Sequence, residues 1–194
     1  WEIPYAEAVE IVKEGLRPLG NDYAKHLEKA LHSGWIDVHE SQGKTGGAYS
    51  FGVYGVHPFI LLNHKDNLHH LFTLAHELGH ALHSSYTHET QPYVYGHYTI
   101  FVAEVASTVN EVLLMHHLLK TTQDQAKKLY LTNHFLEQFR GTVYRQTMFA
   151  EFEKNIHESA ESGKPLTTET LNQLYYELNV KYYGPQINVD PEIA

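Results

Sequence analysis

The sequence contains no cysteine, and this absence limits both its covalent chemistry and its metal chemistry. Disulfide bonds are excluded, and so are zinc sites built from cysteine. Any metal ion must therefore be bound by His, Asp or Glu, and the chain carries 16 His and 23 Asp and Glu residues. A chain without cysteine also suits the reducing cytoplasm.

Basic residues and long apolar runs are scarce as well. The chain has 14 Lys and Arg against 23 Asp and Glu, which gives a formal net charge of −9 at pH 7. Because nucleic-acid binding needs a basic surface, we expect no nucleic-acid partner. No run of 18 apolar residues occurs, so we expect no membrane span. The hydrophobic content of 42% is nevertheless enough for one or two cores of ordinary size.

The most informative feature that is present is His76-Glu77-Leu78-Gly79-His80, a segment of the form H-E-x-x-H. On a helix, residues four apart lie on one face, so both imidazoles can reach one metal ion. Glu77 lies on roughly the same side and can meet a metal-bound water. This combination of ligands and general base is typical of zinc peptidases.

The spacing of apolar residues predicts a helix around the motif, capped by Asp66 or Asn67 and ending near Tyr86. A second helix is predicted from about Thr99 to Lys120. Before the motif, glycine-punctuated β-favouring runs over 48–54 and 59–62 predict a hairpin or two adjoining strands. Thr122-Gln123-Asp124-Gln125 has capping-box form and predicts a long helical stretch that bends near Gly141.

A catalytic zinc ion takes three protein ligands and keeps a fourth position for water, so a third ligand is required. The extended pattern H-E-x-x-H-x-x-G-x-x-H does not apply, because His83 replaces its glycine and Tyr86 replaces its last histidine. His83 shares the face of His76 and His80. We expect it to hydrogen-bond near the metal without binding it, because a fourth protein ligand would close the site.

Three later glutamates are candidates for the third ligand: Glu89, Glu104 and Glu111. We favour Glu104, because it interrupts the apolar run 100–106, where a carboxylate is costly to bury unless it is paired or binds a metal. Ser107, Thr108 and Glu111 share its helix face and could orient the ligands. For Glu111, an ordinary surface position is an equally good interpretation.

With these segments in place, the chain resembles the thimet oligopeptidase and oligoendopeptidase F family of zinc metallopeptidases, and its oligoendopeptidase F branch in particular. Four segments carry the resemblance: His76-Glu77-Leu78-Gly79-His80; Phe101-Val102-Ala103-Glu104 followed by Ser107, Asn110 and Glu111; Gly47-Ala48-Tyr49-Ser50 with Ile60-Leu61-Leu62-Asn63; and Arg145-Gln146-Thr147-Met148-Phe149-Ala150-Glu151-Phe152-Glu153.

The resemblance implies a mainly α (α+β) fold, a zincin-like helical catalytic core with a small β-hairpin or sheet before the active-site helix. It also implies an endopeptidase, cytoplasmic and of bacterial type, that cuts short oligopeptides with one Zn²⁺ per chain. The resemblance further implies that His76, His80 and Glu104 bind zinc and that Glu77 is the general base. The stretch Gly47, Ala48 and Tyr49 resembles the edge strand that pairs with a peptide substrate; the alternative is a purely structural hairpin.

Members of that family are about three times longer, with an N-terminal helical region and a C-terminal segment, rich in His and Tyr, that helps stabilise the transition state. Trp1 lies in what resembles an amphipathic helix, and Val189-Asp190-Pro191 is loop-like, so we expect a fragment of a longer protein. Within 1–194, taken as one catalytic-domain fragment, we expect N-terminal helices (1–45), a β segment (46–63), zinc-binding helices (64–120) and C-terminal helices (121–194). We then expect the isolated chain to hydrolyse peptides weakly or not at all.

Three other interpretations remain open at this point. One is a non-catalytic zinc-binding module derived from such a peptidase. Another is a metal-free helical domain with coincidental histidines. The third, within the enzymes, is a zinc aminopeptidase.

Overall fold

A computed structural model of the chain describes residues 1–186 and 188–190. These residues are mostly helical with one small sheet, as the sequence predicted. None of the helices in these ranges combines the length and apolarity that crossing a bilayer requires. The chain forms two compact units, Trp1–Leu131 and a second that begins at Thr132. The final part of the predicted C-terminal loop, from Pro191 onward, lies outside the described residues.

The first unit holds four long helices and three short strands. In chain order these are α1 (Tyr5–Gly15), α2 (Gly20–His32), β1 (Ile36–Asp37), β2 (Tyr49–Phe51), β3 (Phe59–Leu61), α3 (Leu68–Thr90) and α4 (Ile100–Thr121). Single 3₁₀ turns lie at Arg17–Leu19 and Tyr93–Tyr95. The prediction that Trp1 belongs to a helix was wrong: Glu2 forms an antiparallel bridge with Asn67, and α1 begins only after Pro4.

The three strands form a sheet in the order β1-β3-β2. The predicted pair is present, since β2 runs antiparallel to β3 with Ser50 opposite Ile60. The sequence did not predict β1, which pairs in parallel with β3 through Ile36 and Ile60. Because β3 is central, β2 has one open edge in the described sheet, and its residues Tyr49 and Phe51 are exposed.

Helix α3 forms the centre of the first unit. The side chain of Asn67 caps its first turn by accepting a hydrogen bond from the amide of His70 at 3.0 Å. The helix continues to Thr90, about one turn beyond the predicted end. Its fully buried side chains follow the predicted apolar spacing: Leu68, Leu71, Leu74, Ala75, Leu78, Ala81 and Leu82.

Helices α3 and α4 touch backbone to backbone at Gly79. A Cβ atom at this position would lie 2.7 Å from Cα of Ser107 and 2.8 Å from the carbonyl oxygen of Ala106. Only glycine permits this approach, because both of the atoms it would meet belong to the main chain. The close contact brings the side chains of α4 within reach of those on the H-E-x-x-H segment.

The second unit contains the end of α5 (Gln125–Phe139), then α6 (Arg145–Glu161) and α7 (Thr168–Tyr183). The predicted capping box at Thr122 was wrong, because Asp124 Oδ1 caps α5 by accepting from the amides of Ala126 and Lys127. A π-helical turn, Arg140–Tyr144, lies where the sequence predicted a bend.

Candidate metal centre

The two histidines of the motif lie one turn apart on α3, and their Nε2 atoms are 3.0 Å from each other. Both rings are half-buried. Their rings are nearly perpendicular, with an interplanar angle of 84°. The two nitrogens therefore approach a common point, as the spacing of His76 and His80 predicted.

Glu104 lies opposite them on the first turns of α4. Its Oε2 atom is 3.5 Å from Nε2 of His76 and 3.6 Å from Nε2 of His80. Within the described residues, these three form the one group of His, Asp and Glu side chains whose ligand atoms all lie within 4.8 Å of one another. The structure thus places the favoured third candidate beside the two histidines.

The triangle of ligand atoms is close in size to that of a zinc site, although the two histidine nitrogens lie slightly nearer to each other. A tetrahedral zinc ion with bonds of about 2.0–2.2 Å separates its ligand atoms by about 3.3–3.6 Å. The sides measured here are 3.0, 3.5 and 3.6 Å. Two imidazoles and a carboxylate are also the donor types of open catalytic zinc sites. The cluster could therefore hold a metal ion without large movements.

Glu111 contacts the far side of one of these rings. Its Oε1 atom lies 2.5 Å from Nδ1 of His76. A carboxylate only accepts hydrogen bonds, so Nδ1 carries the hydrogen, and in the neutral ring Nε2 keeps its lone pair for the cluster. Burial lowers the pKa of His76. The hydrogen bond to Glu111 and the negative charge of that residue raise the pKa by more than burial lowers it, so the net pKa lies above its ordinary value.

The pKa of the second histidine moves in the opposite direction. Burial and the neighbouring charge of His76 hold the pKa of His80 below its ordinary value. His80 is thus disposed to remain neutral, which is the form that binds metal.

Glu77 lies almost fully buried on the same stretch of α3, with 7% of its surface exposed. Burial raises the pKa of its carboxyl group, and a hydrogen bond to the backbone of Ser50 in β2 opposes part of this rise. Its Oε2 atom has no hydrogen-bond partner within the described part of the chain. A carboxylate with a raised pKa and an uncommitted oxygen is suited to accept a proton from water.

The residues that follow Glu104 differ in what they contact. Ser107 is fully buried, and its hydroxyl donates to Oε2 of Glu104 at 2.9 Å. Thr108 donates instead to the carbonyl oxygen of Glu104, so it contacts the backbone of α4 and not the carboxylate.

The remaining candidates lie outside the cluster. His83 stacks on Tyr98, with ring centroids 3.9 Å apart, and burial lowers its pKa. Glu89 accepts a hydrogen bond from Ser85 at 3.1 Å, and its other oxygen lies 3.3 Å from Nε2 of His26. Neither residue belongs to the group of three.

The stretch Gly47, Ala48 and Tyr49 leads into the edge strand β2. Gly47 has a φ of 84°, and its carbonyl oxygen accepts a hydrogen bond from Nδ2 of Asn63 at 2.9 Å. Tyr49 is half exposed at the start of the strand. The strand that these residues begin lies beside α3 and supplies the backbone contact to Glu77.

One buried residue beside the cluster was not predicted to have a role there. Asn110 donates through Nδ2 to the carbonyl oxygen of Ala75 at 3.0 Å and accepts from the hydroxyl of Tyr23 at 3.0 Å. Its sequence signals are a polar residue on an apolar helix, three residues after Ser107, and its place in one of the segments that carry the family resemblance. Its partner Tyr23 lies 87 positions away and carries no local signal at all.

Comparison with known proteins adds independent information. The sequence profile for Peptidase family M3 matches residues 5–193. The chain is 54% identical over 193 residues to "Oligopeptidase PepF" of Bacillus subtilis (strain 168), covering 100% of this chain and 29% of that protein. It is 50% identical over 193 residues to "Oligoendopeptidase F, chromosomal" of Lactococcus lactis subsp. cremoris, covering 100% of this chain and 32% of that protein.

Solved structures agree with these matches. The fold is similar to a crystal structure from Chlamydophila abortus, with a TM-score of 0.81 and 40% identity over 98% of this chain and 32% of that one. It is also similar to the oligoendopeptidase-F of Enterococcus faecium, with a TM-score of 0.60 and 36% identity over 98% of this chain and 26% of that one. The chain therefore spans about a third of the length of the relatives that it matches.

Proposed function

The chain belongs to Peptidase family M3, and from this premise we propose that it is the zinc-binding catalytic core of an oligoendopeptidase. The observation that carries the proposal is the meeting of His76, His80 and Glu104 at distances that suit one zinc ion. The names of the relatives, oligopeptidase and oligoendopeptidase, support short peptides as the substrate class. In this role, His76, His80 and Glu104 hold one Zn²⁺, and Glu77 is the general base.

A zinc ion bound there would supply a Lewis acid that lowers the pKa of water from 15.7 to about 7 and stabilises negative charge on oxygen. Glu77 accepts the proton of the attacking water and then passes it to the nitrogen of the leaving amine. The burial that raises the pKa of Glu77 assists the first transfer, because it makes the carboxylate a stronger base toward the proton of water.

The open edge of β2 is the place where a peptide backbone could add to the sheet. An extended substrate would use those backbone groups of this strand that Glu77 does not contact for hydrogen bonds, and it would lie beside α3. In this role, Gly47, Ala48 and Tyr49 form the entrance to the strand. The half-exposed ring of Tyr49 is available to contact a substrate side chain.

The chain spans 29% and 32% of the length of two relatives, so such enzymes contain further segments, among them the C-terminal segment expected to help stabilise the transition state. We therefore expect weak turnover from the 194-residue chain even when zinc is bound. Losing a single donor to the developing oxyanion typically costs about 10²–10³ in rate.

The test compares zinc content and hydrolysis of an internally quenched oligopeptide for the chain and its Glu77→Gln variant. We expect both proteins to retain about one zinc ion, and whatever hydrolysis the chain shows to fall by at least about 10²-fold in the variant. Hydrolysis that survives the substitution would contradict the assignment of Glu77. Zinc binding without hydrolysis, even with the corresponding segments of a full-length relative supplied, would favour the non-catalytic module.

A further inference from the structure

Tyr23 and Asn110 connect three helices next to the metal centre. Asn110, in α4, is 1% exposed, and its Nδ2 donates to the carbonyl oxygen of Ala75 in α3 at 3.0 Å. The hydroxyl of Tyr23, in α2, donates to Oδ1 of the same amide at 3.0 Å. Because Ala75 immediately precedes His76, this chain of hydrogen bonds joins α2 to α3 at the residue before a proposed ligand.

Two adjacent residues of α4 hold two adjacent residues of α3. Asn110 binds the backbone of Ala75, and Glu111 binds the imidazole of His76. A helix rises about 1.5 Å per residue, so a shift of α4 along α3 by even one residue would break these bonds. Glu104 lies on the same rigid helix, so the position of α4 along α3 decides how close its carboxylate comes to the histidines.

The amide of Asn110 depends on Tyr23 because it is buried. A buried amide needs partners on both sides, and Tyr23 supplies the donor for Oδ1. Burial raises the pKa of Tyr23 to about 12, so its hydroxyl keeps the proton that it donates throughout the neutral range. Without that hydroxyl, Oδ1 would be left unsatisfied, and any turn of the amide toward another donor would break its bond to Ala75.

We propose that Tyr23 is a positioning residue for the metal centre, which acts through Asn110 to set the position of α4 along α3 and thereby the approach of Glu104 to His76 and His80. This inference rests on the proposed metal centre. It gives α2, a helix that carries no ligand, a defined part in metal binding.

The test is Tyr23→Phe, which removes only the hydroxyl, with Tyr86→Phe as the matched control. The hydroxyl of Tyr86, in α3, donates to Oδ2 of Asp22 in α2 at 2.8 Å. The same hydroxyl lies 3.3 Å from Nδ1 of His26 in α2. Both substitutions thus remove tyrosine hydroxyl contacts at α2, but the control leaves the partner of Asn110 in place. The readouts are the zinc dissociation constant, from competition with a chromophoric chelator, and the visible absorption spectrum of the Co²⁺-loaded chain.

We expect Tyr23→Phe to weaken zinc binding about tenfold, at the lower end of the effect typical for residues that orient ligands, and to alter the Co²⁺ spectrum. Tyr86→Phe should leave both unchanged. An unaltered affinity and spectrum in Tyr23→Phe, or equal changes in both variants, would overturn the positioning role while leaving the metal centre intact. A lower melting temperature with an unaltered Co²⁺ spectrum would also overturn it, because that result marks a purely structural role. Failure of the unsubstituted chain to bind either metal would overturn both proposals.

Discussion

Nδ1 of His76 lies 2.5 Å from Oε1 of Glu111, a residue seven positions after Glu104 on the same helix. One face of α4 thus offers one carboxylate to the Nε2 side of this ring and another to its Nδ1 side. The second carboxylate holds the ring in the orientation and tautomer that metal binding requires, a common arrangement around zinc-bound histidines.

Removing this contact should weaken metal binding. We expect Glu111→Ala to raise the zinc dissociation constant about 10- to 100-fold, because His76 loses the partner that fixes its ring. Glu111→Gln should weaken zinc binding less, since its amide oxygen can still accept a hydrogen bond from Nδ1 of His76. The control is Glu89→Ala, which removes a carboxylate that also contacts a histidine, His26, outside the cluster. Equal effects in Glu111→Ala and Glu89→Ala would contradict the orienting role.

Gly79 should not tolerate any side chain. In Gly79→Ala the new methyl group would lie 2.7 Å from Cα of Ser107, so α3 and α4 must move apart. We expect the free energy of unfolding to fall by about 1–3 kcal/mol, as for other overpacked contacts, and zinc binding to weaken because Glu104 moves with α4. Chemical denaturation and chelator competition measure the two effects.

Gly46→Ala is the comparison for this substitution. Nothing lies within 4 Å of a Cβ atom at Gly46, and its φ does not require glycine. We expect this variant to have the same free energy of unfolding and the same zinc affinity as the unsubstituted chain. If Gly79→Ala behaved in the same way, the close approach of the two helices would be wrong.

His64 should make the stability of the chain sensitive to mild acid. It is 8% exposed, and burial lowers its pKa. The charge of Asp66, whose Oδ1 lies 3.9 Å from Nε2 of His64, and a backbone contact with Ile3 oppose only part of this fall. The folded-state pKa of His64 therefore lies below the unfolded value of about 6.5. As the pH falls below about 6.5, the unfolded chain takes up a proton that the folded chain resists, and the free energy of unfolding decreases.

The substitution His64→Leu should reduce this dependence on pH. We expect the slope of unfolding free energy against pH below about 6.5 to drop by at most about 1.4 kcal/mol per pH unit, the limit for one proton. Urea denaturation of metal-free protein at several pH values gives the slope. The exposed His116→Leu on α4 serves as the control and should change it little. An unchanged slope in His64→Leu would show that His64 titrates alike in both states.

Local patterns in the sequence were sufficient to predict much of the candidate site. The apolar spacing around His76 and His80 requires a helix, and Asn67 is a good cap for it. Glu104 was selected because a carboxylate is costly to bury in an apolar run. The structure brings Glu104 to the two histidines, but its side chain is 48% exposed, so the burial premise was wrong.

Contacts between distant parts of the chain could not be predicted in the same way. Strand β1 has only two residues and pairs with β3, more than twenty positions away, so it leaves no periodicity to detect. The bond between Tyr23 and Asn110 depends on how α2 packs against α4. The sequence placed the cap of α5 at Thr122, because Thr122 also fits a capping pattern, whereas Asp124 is the cap in the structure. Only the backbone geometry distinguishes the two residues.

The measurement that tests the central claim most directly is zinc affinity and stoichiometry for the chain, its Glu104→Ala variant and Glu89→Ala as a control. We expect about one zinc ion per chain, a much weaker affinity in Glu104→Ala, and no change in Glu89→Ala. Bound zinc should also stabilise the fold by about 2.7 kcal/mol at a hundredfold excess over the dissociation constant. If the unsubstituted chain binds no zinc, or if Glu104→Ala binds it equally well, the proposed three-ligand centre is wrong.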